Sequence, residues 1–220
     1  MPNIVIAIDG TSASGKSTNA KRVARELGYI YVDTGAMYRT LAWHALRQRV
    51  EPRDAKAVAA LCRKWKTSLQ CVDRRAILKV DGYHPEKEIR TAEVSAAVPH
   101  VAAVPSVRKW MKATQRECLK FGNLVMEGRD IGSNVFPETN FKFYLDASLQ
   151  ARSRRRAAEG VNENLAARDQ RDSERAVAPL MIPLGATVIN NSQLTPDQTS
   201  ALILNEVRRK LSQAPSRPRQ

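Results

Sequence analysis

Gly10-Thr11-Ser12-Ala13-Ser14-Gly15-Lys16-Ser17-Thr18 is the stretch that decides the fold. It has the spacing GxxxxGK[ST], and each fixed residue has a task. Glycines at 10 and 15 let the backbone turn tightly, so that successive N–H groups point inward at a phosphate chain. Lys16 reaches toward the β- and γ-phosphates, and the Ser17 hydroxyl is placed to ligate Mg2+. A helix beginning near Lys16 turns its N-terminus toward the same anion. The flanks agree. A β-branched run at 3–8 precedes the motif, and Ala20, Val23, Ala24 and Leu27 follow at i, i+3, i+4 and i+7 of a helix. The expectation is a nucleoside triphosphate with Mg2+ seated on residues 10–18. The motif does not say which group receives the γ-phosphate.

Moving outward, short strand-like runs lie at 29–33, 123–127, 141–145 and 187–190, with helical periods between them. Pro105 suits a first helical turn, and Val107, Trp110, Met111, Thr114 and Cys118 then share a face. Thr195-Pro196 opens a last helix with Leu202, Leu204, Val207 and Leu211 read as facing inward. Strands alternating with helices predict an α/β fold, a parallel sheet flanked by helices. Two segments break the rhythm. Residues 68–72 and 76–80 flank Asp73-Arg74-Arg75 and read as an antiparallel hairpin. Residues 150–175 form a charged helical stretch carrying Arg152, Arg154, Arg155, Arg156, Arg168, Arg171 and Arg175. The end of the chain, rich in Pro and Arg, is expected to be a disordered tail.

The chain has 220 residues, enough for one domain with an insertion. Thirty-six Lys and Arg against 22 Asp and Glu leave a formal +14, a surplus that attracts polyanions: nucleic acid, anionic membrane or small phosphorylated molecules. No apolar stretch approaches the ~18–20 residues of a membrane span, and residues 4–8 begin too early for a signal peptide. A nucleic-acid-binding ATPase needs basic patches interleaved with stacking aromatics. Aromatics are 5% here, and Trp43, Trp65 and Trp110 fall in helical segments that suit core packing. Cys62, Cys71 and Cys118 form no CxxC array, so they read as reduced, largely buried thiols of a cytoplasmic protein. His44, His84 and His100 are scattered and read as structural or solvated.

Candidate acceptor residues follow the strands. Arg39, in Asp33-Thr34-Gly35-Ala36-Met37-Tyr38-Arg39, is either a bidentate phosphate clamp or a solvated arginine at a helix start. Glu127-Gly128-Arg129-Asp130 lies at the carboxyl edge of a strand, where α/β sheets bind ligands. Arg168, Asp172 and Arg175 stand at i, i+4 and i+7 on one helix face, as a binding face or as a salt-bridged surface.

Taken together these residues resemble the bacterial cytidylate kinases. The likeness rests on IDGTSASGKST (8–18), DTGAMYR (33–39), EIRTAEVS (88–95), VPSVR (104–108), GRDIGSNVFP (128–137), KFYLDAS (142–148) and RDQRDSERAVAPL (168–180), in the family's order. It implies a P-loop NTPase core with a five-stranded parallel sheet flanked by helices, a small antiparallel insert in a monophosphate-binding region, and a helical lid. The core would occupy about 1–33, 100–150 and 176–211, the monophosphate-binding region about 34–99, the lid about 151–175 and the tail 212–220. The resemblance implies transfer of the γ-phosphoryl of ATP to CMP or dCMP with Mg2+, in a cytoplasmic monomer that binds neither membrane nor specific nucleic acid. Arg39, Arg129 and Arg168 would hold the CMP phosphate, and Asp172 and Arg175 the sugar and its surroundings. Thr34, Arg108 and Asp130 would face the cytosine, while Arg154, Arg155 and Arg156 approach the ATP phosphates. With Lys16, the residues implied in transfer are Arg129, Arg154, Arg155 and Arg168. Two departures stand out. Pro99 occupies a position where relatives carry a base-contacting Ser, and the lid is short between Arg156 and Arg168.

Overall fold

The computed structural model describes residues 3–160 and 164–213. Its centre is a seven-stranded sheet. In chain order the strands are β1 (Val5–Gly10), β2 (Ile30–Asp33), β3 (Thr67–Val72), β4 (Arg75–Val80), β5 (Leu124–Glu127), β6 (Phe141–Asp146) and β7 (Thr187–Asn190). In space they run β3-β4-β2-β5-β1-β6-β7. The five strands from β2 to β7 are parallel, with Val5 opposite Leu124 and Ile6 opposite Phe141. Every residue of β1 is buried, as expected for a strand covered on both faces.

Alternation along β1 sorts the core into two layers. Ile6 and Ile8 join Val125, Phe143 and Leu145 under α1 (Lys16–Leu27) and, later in the chain, α8 (Pro196–Ser212). Val5 and Ala7 join Leu124 and Met126 under α2 (Thr34–Arg47), α4 (Ala92–Ala103) and α5 (Pro105–Glu117). Each fully buried Ile or Phe of this kind contributes roughly 1.5–3 kcal/mol. The short α3 (Ala55–Cys62) leads into the hairpin, and α6 (Leu149–Ala158) and α7 (Leu165–Ser173) carry the arginine-rich stretch. No described helix is long and apolar enough to cross a membrane.

The hairpin β3–β4 turns at Asp73-Arg74, both at positive φ, as a tight two-residue connection needs. It also continues the main sheet. Arg75 and Ala76 pair in parallel with Tyr31 and Val32, and the Arg74 carbonyl accepts the Tyr31 N–H at 2.9 Å. Helix ends match their sequence signals: Pro105 starts α5, and Thr195 and Gln198 form a reciprocal cap on α8. The inward face of α8 is Thr199, Ser200, Ile203, Leu204 and Val207, whereas Leu202 and Leu211 are exposed, since the stripe runs through 203 rather than 202. Cys118 is buried, but Cys62 is half-buried and Cys71 exposed, because β3 is an edge strand with most of its side chains in solvent. The tryptophans pack: Trp43 is buried, and Trp65 meets Trp110 edge-to-face at 5.7 Å. Of the expected tail, Ser212 ends α8 and Gln213 caps it; 214–220 lie outside the described residues.

Candidate active site

The loop between β1 and α1 is shaped by close approach. A Cβ on Gly10 would stand 2.2 Å from the Leu145 carbonyl oxygen on β6, so only glycine fits there. Gly15 enters α1 at φ 87°, and Ala13 also takes positive φ, turning the loop inward. Lys16 is buried and donates to the Thr11 carbonyl at 2.5 Å and to Ser14 Oγ at 3.4 Å. Burial and the nearby Arg129 push its ammonium well below the usual lysine range. A cation held in so poor a solvent gains strongly from any phosphate placed beside it.

A cleft of about 1030 Å³ opens in front of this loop at the carboxyl ends of the strands. Ser12, Ala13, Gly15, Lys16, Ser17 and Thr18 form its floor, while Gly10, Thr11 and Ser14 build the loop from behind. Thr34 and Arg39 line it from α2, Arg129 and Asp130 from the turn after β5, and Arg168, Asp172 and Arg175 from α7 and just beyond. Arg129 Nε donates to Asp172 Oδ2 at 2.9 Å, and Arg175 donates to Asp172 Oδ1 at 2.7 Å. These two cations hold the Asp172 carboxyl below its ordinary value despite burial. Arg39 drops to about 10, first through burial and then through repulsion by Arg168 and Arg90. Its buried Nε has no hydrogen-bond partner. A crowded cationic cluster with an orphaned donor calls for an anion.

Glu127 lines the cleft, largely buried, accepting from Ser17 Oγ at 2.9 Å and from the Tyr31 hydroxyl. Desolvation raises its carboxyl, as does the neighbouring Asp33. Ser17 spends its proton on Glu127 and keeps its oxygen lone pairs. Hydroxyl and carboxylate oxygens are the hard donors Mg2+ takes. Among the described residues no group of three or more His, Cys, Asp or Glu could hold a metal alone. Ser17 Oγ and the Glu127 carboxylate beside it are oxygen donors of the kind that fits Mg2+.

Helices α6 and α7 reach the phosphate loop through residues that the sequence only partly singles out. Arg152, buried, donates to Asp169 Oδ2 at 2.5 Å, to the Ser12 carbonyl at 3.2 Å and to the Ala147 carbonyl at 2.9 Å. Asp169 in turn accepts the Ser12 N–H at 3.2 Å. Arg155 donates to the Ala13 carbonyl and to Asn191, whose amide donates to the Ser14 carbonyl at 2.8 Å. Arg156 lines the cleft as well. Arg154 is exposed and lies off the cleft wall, since helical periodicity puts 152, 155 and 156 on one face and 154 on another. Arg108 stands behind the wall: it donates to Asp130 Oδ2 at 2.6 Å, and its guanidinium lies 5.7 Å from the Tyr38 ring centroid. Thr34 Oγ1 donates to the Glu127 carbonyl at 2.7 Å. Pro99 and His100 line the cleft on the α4 side, so His100 is neither core nor remote surface.

Sequence reasoning passed over Asp9, Glu127 as a ligand of Ser17, Asp169 and Asn191. Asp9 and Asn191 carried no local signal, because their partners are 122 and 177 residues away. Asp169 sat in the quoted RDQRDSER stretch, and its spacing from Arg152 could not be read across two helices.

Comparison with known proteins agrees with this geometry. The family model described as cytidylate kinase matches residues 6–209. A protein of Geobacillus sp. (strain WCH70) named cytidylate kinase is 40% identical over 95% of this chain and 98% of its own. One of that name from Symbiobacterium thermophilum is 41% identical over 94% and 96%. A gluconokinase structure from Sinorhizobium meliloti superposes with a TM-score of 0.50 at 12% identity, covering 96% of each chain, a likeness of fold alone. With a nucleotide-sized cleft in front of a phosphate loop and a family match running almost end to end, the chain belongs to the cytidylate kinase family.

Proposed function

We propose that this protein transfers the γ-phosphoryl of ATP to CMP or dCMP, giving ADP and CDP or dCDP, by direct in-line displacement. The observation that carries it is electrostatic. Lys16 on the loop and Arg39 across the cleft are both lowered, first by burial and then by the charges of Arg129 and Arg168, and all four side chains line the same cleft. Those two arginines share the cleft with both a triphosphate seat at Lys16 and a second anion seat at Arg39, where charge moves during transfer. The acceptor phosphate is already an anion at neutral pH, so no general base is needed. Position and charge neutralisation supply the catalysis.

Lys16 holds the transferred phosphoryl, with Gly10 to Thr18 around the triphosphate. Arg39, Arg129 and Arg168 clamp the monophosphate, and Asp172 and Arg175 meet its sugar. Thr34 and Asp130 face the base, with Arg108 bracing Asp130 from behind. Arg155 and Arg156 close on the ATP phosphates; the exposed Arg154 reaches them only if α6 turns. Mg2+, held by Ser17 and the triphosphate, would neutralise the phosphate oxygens. Residues 34–99 form the acceptor-binding region and about 151–175 the lid. The enzyme works as a cytoplasmic monomer.

The test is a coupled assay of ADP formation with ATP and CMP, dCMP, UMP or AMP in parallel. Turnover with CMP and dCMP well above that with AMP is expected. Equal rates with AMP would refute the cytosine preference.

A further inference from the structure

Asp9 is the last residue of β1 but one, immediately before Gly10 of the phosphate loop, and is fully buried. Its two oxygens are divided between two backbone donors. Oδ1 accepts the Ile131 N–H at 2.8 Å and Oδ2 the Gly132 N–H at 2.7 Å. Both donors belong to the wide helical turn Ile131–Val135, directly after Arg129 and Asp130. No ion pair neutralises Asp9 among the described residues. The rest of that turn is also held tightly. Asp130 Oδ2 accepts from Arg108 at 2.6 Å and from Asn134 at 2.9 Å, and a Cβ on Gly128 would stand 2.7 Å from Thr34 Oγ1.

We infer that Asp9 is a positioning residue for the acceptor: its carboxylate clamps the Ile131 and Gly132 amides and so fixes Arg129 and Asp130 at a set distance from the phosphate loop that begins at Gly10. The inference rests on the acceptor seat proposed above. Chemically, a carboxylate suits this task and its amide does not. Two convergent N–H groups need two acceptors, and an Asn offers one carbonyl and one NH2. The NH2 would face a donor, and the turn would shift. Because one end of the link is the strand leading into the loop and the other the turn bearing Arg129, the clamp sets the gap between donor and acceptor phosphates. Displacements of about 1 Å at such a gap cost on the order of 10²-fold in rate.

The experiment compares wild type and Asp9→Asn for KM of CMP, KM of ATP, kcat and thermal midpoint. A fall of about tenfold or more in kcat/KM for CMP, with KM for ATP within about twofold, is expected. An equal rise in both KM values, or a lowered midpoint with both KM values unchanged, overturns the inference. Should the variant not fold, amide exchange in the wild type decides. Exchange at Ile131 and Gly132 should slow when CMP binds, and indifference to CMP overturns the clamp. A wild type that does not phosphorylate CMP sinks the functional reading and this inference together. Normal wild-type turnover with an unaltered variant sinks this inference alone.

Discussion

The contact joining Arg152, Asp169 and Ser12 ties α6 and α7, the proposed lid, to the phosphate loop, and Asp169→Asn tests it. The substitution removes the charge behind the 2.5 Å Arg152 contact while an oxygen can still accept the Ser12 N–H. Both side chains are largely buried, at 9% and 16% exposure, so solvent screening does not erase the pair. Arg152 keeps the Ala147 and Ser12 carbonyls as acceptors, so it is not orphaned. The loss is then that of one charge-assisted hydrogen bond, about 2 kcal/mol, rather than the larger cost of a stranded buried charge. At 1.4 kcal/mol per decade this is roughly a 30-fold loss in the hold of α6 on α7, the pairing that presents Arg152 and residue 169 together to Ser12. KM for ATP should rise about 10–30-fold, and ATP hydrolysis without CMP should rise relative to transfer, because an open lid admits water. The assay follows ADP release with and without CMP for Asp169→Asn, Arg152→Gln and the double variant. Effects on KM for ATP that simply add, or a change below twofold in Asp169→Asn, would refute the latch.

Three further outcomes follow from the same geometry. Lys16→Ala should lower kcat about 10²–10³-fold with the thermal midpoint little changed, since it removes one preorganised charge; near-normal turnover would contradict its place on the phosphoryl group. Pro99 lies inside α4 and supplies no N–H to the helix; Pro99→Ser should stabilise by about 1–3 kcal/mol, several degrees in midpoint, and lower KM for CMP if the new hydroxyl reaches the base. No rise in midpoint would show that the helix gains nothing from the serine. Burial raises the Asp9 carboxyl from 3.8 to about 7. Between these values the unfolded chain has released its proton while the native one keeps it, so the two-acceptor clamp on the Ile131 and Gly132 amides is complete only once Asp9 ionises, above about pH 7. This group's contribution is therefore fully present below pH 3.8 and declines as pH rises toward 7, by an amount on the order of 4 kcal/mol. The stability of Asp9→Asn relative to wild type should accordingly grow from pH 5 to 7.5, and a pH-independent difference in urea unfolding would count against it.

The main strands were legible because β-branched runs such as 4–8 stand between helix-period stretches, and the hairpin because Asp73-Arg74 punctuates two such runs. That β4 would dock on β2 was not legible. The two paired positions, Tyr31–Arg75 and Val32–Ala76, are 44 residues apart in sequence and carry no mutual signal. The phosphate loop's residues follow from its motif. The two faces of α6 were available in principle from the i, i+3, i+4 relation of Arg152, Arg155 and Arg156, yet four basic residues in five positions conceal it. Asp9 was illegible for a different reason: a carboxylate in a buried strand looks like an error until the two amides it accepts from are placed.

The strand register also has a consequence for how the chain is made. β1 is synthesised first, but its neighbours are β5 and β6, reached only at residues 124–127 and 141–145. At 5–20 residues per second, on the order of 10 s pass between translation of the phosphate loop and of Asp146. Throughout that interval Val5-Ile6-Ala7-Ile8 is an unpaired, uncharged, β-prone segment. Over this period the phosphate loop lacks the Leu145 carbonyl against which Gly10 packs and the Arg168 that lines its cleft, so the nucleotide site is incomplete while β1 waits. The first native cover the chain can offer Ile6 and Ile8 is α1, whose Ala20, Val23 and Ala24 share their core cluster.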